Sequence, residues 1–253
     1  MFGQIVFPSL NWVPYVIRTT LTTVTDLLLL LVSIRLLEKN LLPVEALGLS
    51  FSRRIFLNLL VGLLIGTATL ALIAAMLYGL APFHLGQGPL RLVDALKESC
   101  SYFAGNSLEE LMFRGFLLVV LSRSAGWRIA VLILALPFGL FHLQGSGISP
   151  IGLKMVASTA TYSLVLSLSY ILTRSMWTAI SVHVTSNILL HTLLGLDGMG
   201  HAMFVPVFSG SGSGSYDRGF FGAMIPGALA MTCLLYRIAS YRLKNAAEYE
   251  FWA

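Results

Sequence analysis

Glu109, Glu110 and Arg114 sit within one apolar stretch of this chain, and His142, His183 and Asn187 sit in two others. Carboxylates and imidazoles are the side chains that take protons from water and return them, and a carboxamide N–H can steady a developing oxyanion. An ionisable side chain at the centre of a bilayer costs about 2.5–3.5 kcal/mol even on the milder insertion scales, so such groups persist where they pair or do chemistry. Two acids, an arginine, two histidines and an asparagine, drawn from three segments, therefore read as parts of one buried site.

The spacing assigns first roles. Glu110 and Arg114 are four residues apart with the acid first, the favourable order for a helical ion pair. Glu109 is turned from Glu110 by about 100° on a helix and has no basic residue at the same spacing. A carboxylate without a counter-charge suits a group that must accept and donate protons. The structural alternative is an ion pair with one satisfied glutamate beside it. Phe138 lies one turn before His142, so the two rings can share a face. His183 and Asn187 share a face in the same way and present a ring nitrogen and an amide toward one point, able to hold a carbonyl oxygen or a metal. The alternative is a hydrogen bond between helices. His191 extends that stripe and reads as structural, while His84 and His201 fall in loops. Asp26, in the first apolar run, has Thr19, Thr22, Thr23 and Thr25 for hydroxyl partners and reads as a polar contact.

The elements that must position these groups are apolar helices. The 253 residues are 57% hydrophobic and 11% charged, against about 25% charged in soluble domains, so the composition is that of a polytopic membrane protein. Runs of about 20 apolar residues cross a bilayer core as helix. Seven such spans are expected near 19–37, 55–77, 95–121, 127–143, 152–173, 176–196 and 219–240. The fold class is thus an all-α transmembrane bundle, read as a single integral membrane domain over 1–253. The first run begins after Arg18 and is too long for a cleavable signal peptide. Pro82 and neighbouring glycines mark a loop, and the Gly-Ser run from Ser209 to Ser215 reads as a flexible one. The formal charge of +5 comes from basic residues scattered at span ends, where they orient helices, and not from a patch that would bind nucleic acid. Cys100 and Cys233 read as two isolated core thiols with no disulfide framework.

Taken together and in order, Glu-Glu-x-x-x-Arg at Glu109 to Arg114, Phe-x-x-x-His at Phe138 to His142 and His-x-x-x-Asn at His183 to Asn187 resemble the CPBP family of intramembrane proteases. That family includes the type II CAAX prenyl endopeptidases and the bacteriocin-processing or self-immunity (Abi) enzymes. The resemblance covers roughly residues 95–196. It implies a helical bundle around a polar, water-filled cavity. By carry-over, Glu109 would activate a water, His142 would position it, His183 and Asn187 would stabilise the oxyanion, and Glu110 with Arg114 would brace the site. The family is usually classed as metalloproteases, and similar enzymes have been argued to be metal-free glutamate proteases. Glu109, His142 and His183 are the candidate ligands for a divalent metal such as zinc. No His-Glu-x-x-His pattern is present.

The expected function is an intramembrane endopeptidase that hydrolyses a peptide bond of a membrane-associated protein or peptide, with the lipid bilayer as its other partner. The substrate could be of CAAX type, a leader or bacteriocin, or a C-terminal sorting peptide. Two alternatives are a non-proteolytic membrane scaffold or immunity factor and a proton-coupled transporter. The first predicts a degraded site and the second predicts paired broken spans; neither feature is in the sequence. Counting Lys and Arg beside the spans gives ten inside against five outside if the N-terminus is outside and the C-terminus cytoplasmic, so that orientation in the cell membrane is expected.

Overall fold

A computed structural model describes residues 51–145, 148–197, 201–208 and 213–245, together with 47–49 and the single helical positions Val24, Leu28, Leu31, Arg35 and Lys39. The first expected span and Asp26 therefore lie, but for those positions, outside the described residues.

Helix α1 covers Arg54–Leu80 and is followed by a short strand, β1, at Phe83–Gln87. Helix α2, Leu92–Glu110, runs into a π-helical turn at Leu111–Leu117 and then α3, Leu118–Ala125. Gly126, at φ 77°, breaks the chain before α4, Trp127–Phe141, which ends in a 3-10 turn at His142–Gly145. Helix α5, Pro150–Thr173, starts with the Ser149 hydroxyl accepting from Gly152 N and Pro150 in the first turn, a capped start that Pro tolerates because its missing N–H would be unused there. Helix α6, Met176–Asn187, passes into a second π turn at Ile188–Leu193. Strand β2, Phe204–Phe208, and the long helix α7, Ser213–Asn245, complete the order.

Three of these helices are long and apolar enough to cross a membrane: α1, α5 and the 219–244 part of α7; α4 is a shorter apolar helix. The expected third and sixth spans are helical where they were placed, but each is interrupted by a π turn. The third also carries Asp94, Lys97, Glu98, Glu109 and Glu110, which lowers its hydropathy below that of a simple span.

Three expectations need correction. The chain is not wholly α-helical, because β1 and β2 pair antiparallel, Phe83 opposite Phe208 and Gln87 opposite Phe204. Phe-Val-Pro-Val-Phe is rich in residues that favour strands, Phe-His-Leu-Gly-Gln has only its Phe, and the Phe83 and Phe208 rings meet at 5.6 Å. The helix α7 begins inside the Gly-Ser run, at Ser213, so the run is not loop throughout. Cys100 and Cys233 are free but exposed. In a membrane helix an apolar thiol is as comfortable toward lipid as toward the core.

Helix α5 is the most enclosed of the three long helices. Against it packs α4, and a methyl at Gly139 would meet Val156 O at 2.5 Å and Ala160 Cβ at 2.9 Å, so glycine is what lets the two backbones approach. Helix α1 holds α6 through a small-residue face. Gly62 and Gly66 lie against Thr178, Ser181 and Val182, where a Cβ would come within 2.5 and 2.9 Å of α6 atoms. This is the close packing that glycines four apart permit in membrane bundles. Ser181 Oγ donates to Leu59 O at 2.7 Å across the same seam. These two contacts fix the helices that carry His142 and His183.

Candidate active site

Glu109 and Glu110 are the last two residues of α2, and both are fully buried. The π turn that follows widens the helix where Arg114 sits, a local departure often found at functional sites. Arg114 Nη1 still reaches Glu110 Oε1 at 3.2 Å. Its Nη2 donates to the backbone oxygen of Ser163 at 3.1 Å and to Ser163 Oγ at 2.6 Å on α5. The guanidinium lies 4.4 Å from the Phe138 ring centre, close enough for a cation–π contact. One cation is thus held by a carboxylate, a serine and an aromatic face on three helices, as the expected Glu110–Arg114 brace requires.

His142 closes the end of α4. Its backbone N–H bonds to Gly139 O rather than reaching back four residues, which leaves the Phe138 carbonyl free of its usual partner. The ring Nδ1 takes that place at 2.8 Å from Phe138 O. A carbonyl can only accept, so Nδ1 carries the proton and Nε2 of the neutral ring presents a lone pair. His183, on α6, is fixed in the same sense, with Nδ1 2.8 Å from Glu110 Oε1. Since Glu110 is already paired with Arg114 as a carboxylate, Nδ1 is the donor there as well.

Both Nε2 atoms face one atom. His142 Nε2 is 3.7 Å and His183 Nε2 3.8 Å from Glu109 Oε2. Neither Glu109 oxygen has a hydrogen-bond partner. A water between them has two protons to give, one to Glu109 and one to either imidazole Nε2. Sequence spacing placed the five residues Glu109, Glu110, Arg114, His142 and His183 on three segments, and the fold brings them together.

Asn187 is engaged differently. Its Nδ2 donates to Asn106 Oδ1 at 3.0 Å, one turn before Glu110 on α2. Asn106 was missed in the sequence, although Asn106, Glu110 and Arg114 form a stripe four residues apart that could have shown it. Ser163 and the Tyr162 hydroxyl, which hydrogen-bonds to Ser186, were missed too. Their signal was the run of serines, threonines and tyrosines through an otherwise apolar α5. His191, as expected, has a structural partner, Asp197 Oδ2 at 2.6 Å. His84 lies exposed in β1 and His201, also exposed, pairs with Glu98 at 2.8 Å.

The side-chain types at Glu109, His142 and His183 suit zinc, and the proton on each Nδ1 is the usual arrangement behind a ligating imidazole. Among the described residues no group of three His, Cys, Asp or Glu side chains is drawn in to ligand spacing. Tetrahedral ligands at zinc distances lie roughly 3.4 Å apart, a few tenths of an ångström inside the separations observed.

No curated protein and no solved structure matches the chain. Residues 99–189 match the family model described as type II CAAX prenyl endopeptidase Rce1-like. The matched stretch runs through α2, the first π turn and α3 to α6, and contains Glu109, Glu110, Arg114, His142, His183 and Asn187. Over residues 99–189 the chain is therefore similar to the Rce1-like type II CAAX prenyl endopeptidases.

Proposed function

We propose that the protein is an intramembrane endopeptidase that cleaves a membrane-associated protein or peptide with water activated by Glu109. The observation that carries this reading is the contrast between the two neighbouring glutamates. Glu110 shares its Oε1 between Arg114 and His183, while neither oxygen of the buried Glu109 is hydrogen-bonded and two imidazole lone pairs face it. Glu109 takes a proton of a water that also donates to one imidazole Nε2, and the resulting hydroxide attacks the scissile carbonyl. The carbonyl π electrons move to oxygen and return as the C–N bond breaks, the leaving amine taking the proton from Glu109. Oxyanion stabilisation falls first to Asn187, whose amide is a donor in every protonation state. His183 joins it only as an imidazolium, because its neutral Nε2 accepts. The substrate lies in a polar cavity among these helices and is of CAAX, leader or bacteriocin, or C-terminal sorting type.

The orientation belongs to the same proposal. The pairing of β1 with β2 places both connections at one end of the bundle, which four crossings between them allow. The Lys/Arg count puts that end outside, with the N-terminus outside and the C-terminus cytoplasmic. Because Cys100 and Cys233 are exposed, both are first replaced by serine. Cysteines introduced at Gln87 and Ile148 should then react with an impermeant thiol reagent added to intact cells. Labelling only after the membrane is broken places that end of the bundle on the cytoplasmic side and overturns the orientation.

The functional test is cleavage by the purified full chain of an internally quenched farnesylated CAAX peptide, and of the same peptide without the prenyl group, beside Glu109→Gln. Bound metal is measured in both proteins, and the assay is repeated after chelation. Turnover by Glu109→Gln equal to that of the wild type removes Glu109 from the base role. Loss of turnover on chelation that returns with zinc makes the three groups ligands rather than water holders.

A further inference from the structure

Asn106 is fully buried on α2, three residues before Glu109 and four before Glu110. Its Oδ1 accepts the Asn187 amide across 81 residues of sequence at 3.0 Å. Its own Nδ2 is buried with no partner. A side chain kept for stability would spend both ends, because a buried donor left unpaired costs more than an ordinary amide hydrogen bond returns. An isosteric apolar residue would fill the same space without that cost. The polarity of Asn106 is therefore not explained by packing, while its one hydrogen bond falls on a signature residue of the site.

The terminal torsion of an asparagine is broad, so an unanchored Asn187 could present either its oxygen or its nitrogen to a substrate. Only the nitrogen end can stabilise negative charge on a carbonyl oxygen. An acceptor at Asn106 Oδ1 binds one N–H of Asn187, holds the nitrogen end in place and leaves the second N–H, about 120° away in the amide plane, free to donate. We propose that Asn106 is a positioning residue for the hydrolysis, acting through Asn187 to fix its amide with one donor toward the scissile carbonyl. This rests on the endopeptidase reading above.

The test is a double-mutant cycle in the full chain, using the quenched farnesylated and unprenylated peptides as probes. Asn106→Leu should lower kcat by about 10- to 100-fold, leave KM within about threefold and leave the thermal midpoint unchanged or raised. Adding Asn106→Leu to Asn187→Ala should slow the enzyme no further than Asn187→Ala alone, the mark of two residues acting as one. Where leucine overpacks, Asn106→Ala serves in the same cycle. Multiplied losses in the double variant overturn the proposal, since Asn106 then acts independently of Asn187. So does an unchanged kcat in Asn106→Leu, or a kcat loss matched by a fallen thermal midpoint. If the wild type cleaves neither probe, nor a leader-type, bacteriocin-precursor or C-terminal sorting-type peptide, the hydrolytic reading fails and this role fails with it. The anchor itself is read separately, by 15N NMR of the asparagine side-chain amides. It is present if Asn106→Leu shifts the Asn187 protons, and absent if it does not.

Discussion

Two sets of acid–histidine pairs lie along α2 and its partners, and they are built in opposite ways. Near the strand-bearing end, Glu98 meets His201 at 2.8 Å and Thr192 at 3.3 Å, and Asp197 meets His191 at 2.6 Å beneath the stacked Tyr102 ring. Each acid there is consumed by a hydrogen bond at contact distance. Deeper in the bundle, Glu109 stands 3.7 and 3.8 Å from two histidines and bonds to neither. The residue types are the same in both places. A satisfied pair has no capacity left for a substrate, whereas a buried carboxylate with unspent lone pairs costs stability and is kept where chemistry uses it. The two sets thus separate a clamp from the proposed reaction centre.

The contrast can be broken most severely at Glu109. Glu109→Gln should lower kcat by about 10²–10⁴ with insertion and melting preserved, since the amide is nearly isosteric and loses only the ability to accept a proton. Turnover of the quenched peptide and the thermal midpoint are measured on one sample. Next comes Arg114→Ala, which leaves Glu110 buried without its cation. A loss of about 3–5 kcal/mol should appear as reduced yield and melting temperature along with reduced activity. Normal accumulation with altered activity alone would make Arg114 a substrate contact instead of a brace. A smaller effect is expected from Ser163→Ala, which removes one of the two Ser163 contacts to the guanidinium. It should cost about 1.5–3 kcal/mol, the value of a hydrogen bond to a charged group, read as a lower thermal midpoint with KM unchanged. Smallest of all, Glu98→Gln and His201→Ala should change stability by about 0–1 kcal/mol and turnover by less than about twofold. A large kinetic loss there would erase the distinction between the two sets.

What was legible in the sequence follows the range of the physics involved. Helix positions from α1 to α7 could be read because apolar run length and the cost of burying charge act locally. The partnership of Glu110 with Arg114 could be read because residues four apart on a helix are neighbours wherever that helix goes. The two strands could not, since five residues of β1 gain their pairing only from a segment more than a hundred residues later. The exposed thiols were misread for a related reason: hydropathy separates membrane from water and says little about which face of a span meets lipid. Both π turns also escaped, because the sequence reading assumed an unbroken helical period through Arg114 and past Asn187.

By itself, the sequence determined a mostly helical, membrane-type chain with six chemically matched residues on three segments. Spacing alone paired Glu110 with Arg114 and left Glu109 without a counter-charge, but it could not show what holds that arrangement. Tertiary contacts supply it: Ser163 and Phe138 hold Arg114 against Glu110, His183 donates to the same carboxylate, and the Phe138 carbonyl turns His142 so that its lone pair faces Glu109. Hydrogen bonds of this kind act over about 3 Å between groups dozens of residues apart. Residue type and spacing name the candidates, and only the packing of helices decides which atoms are left unspent.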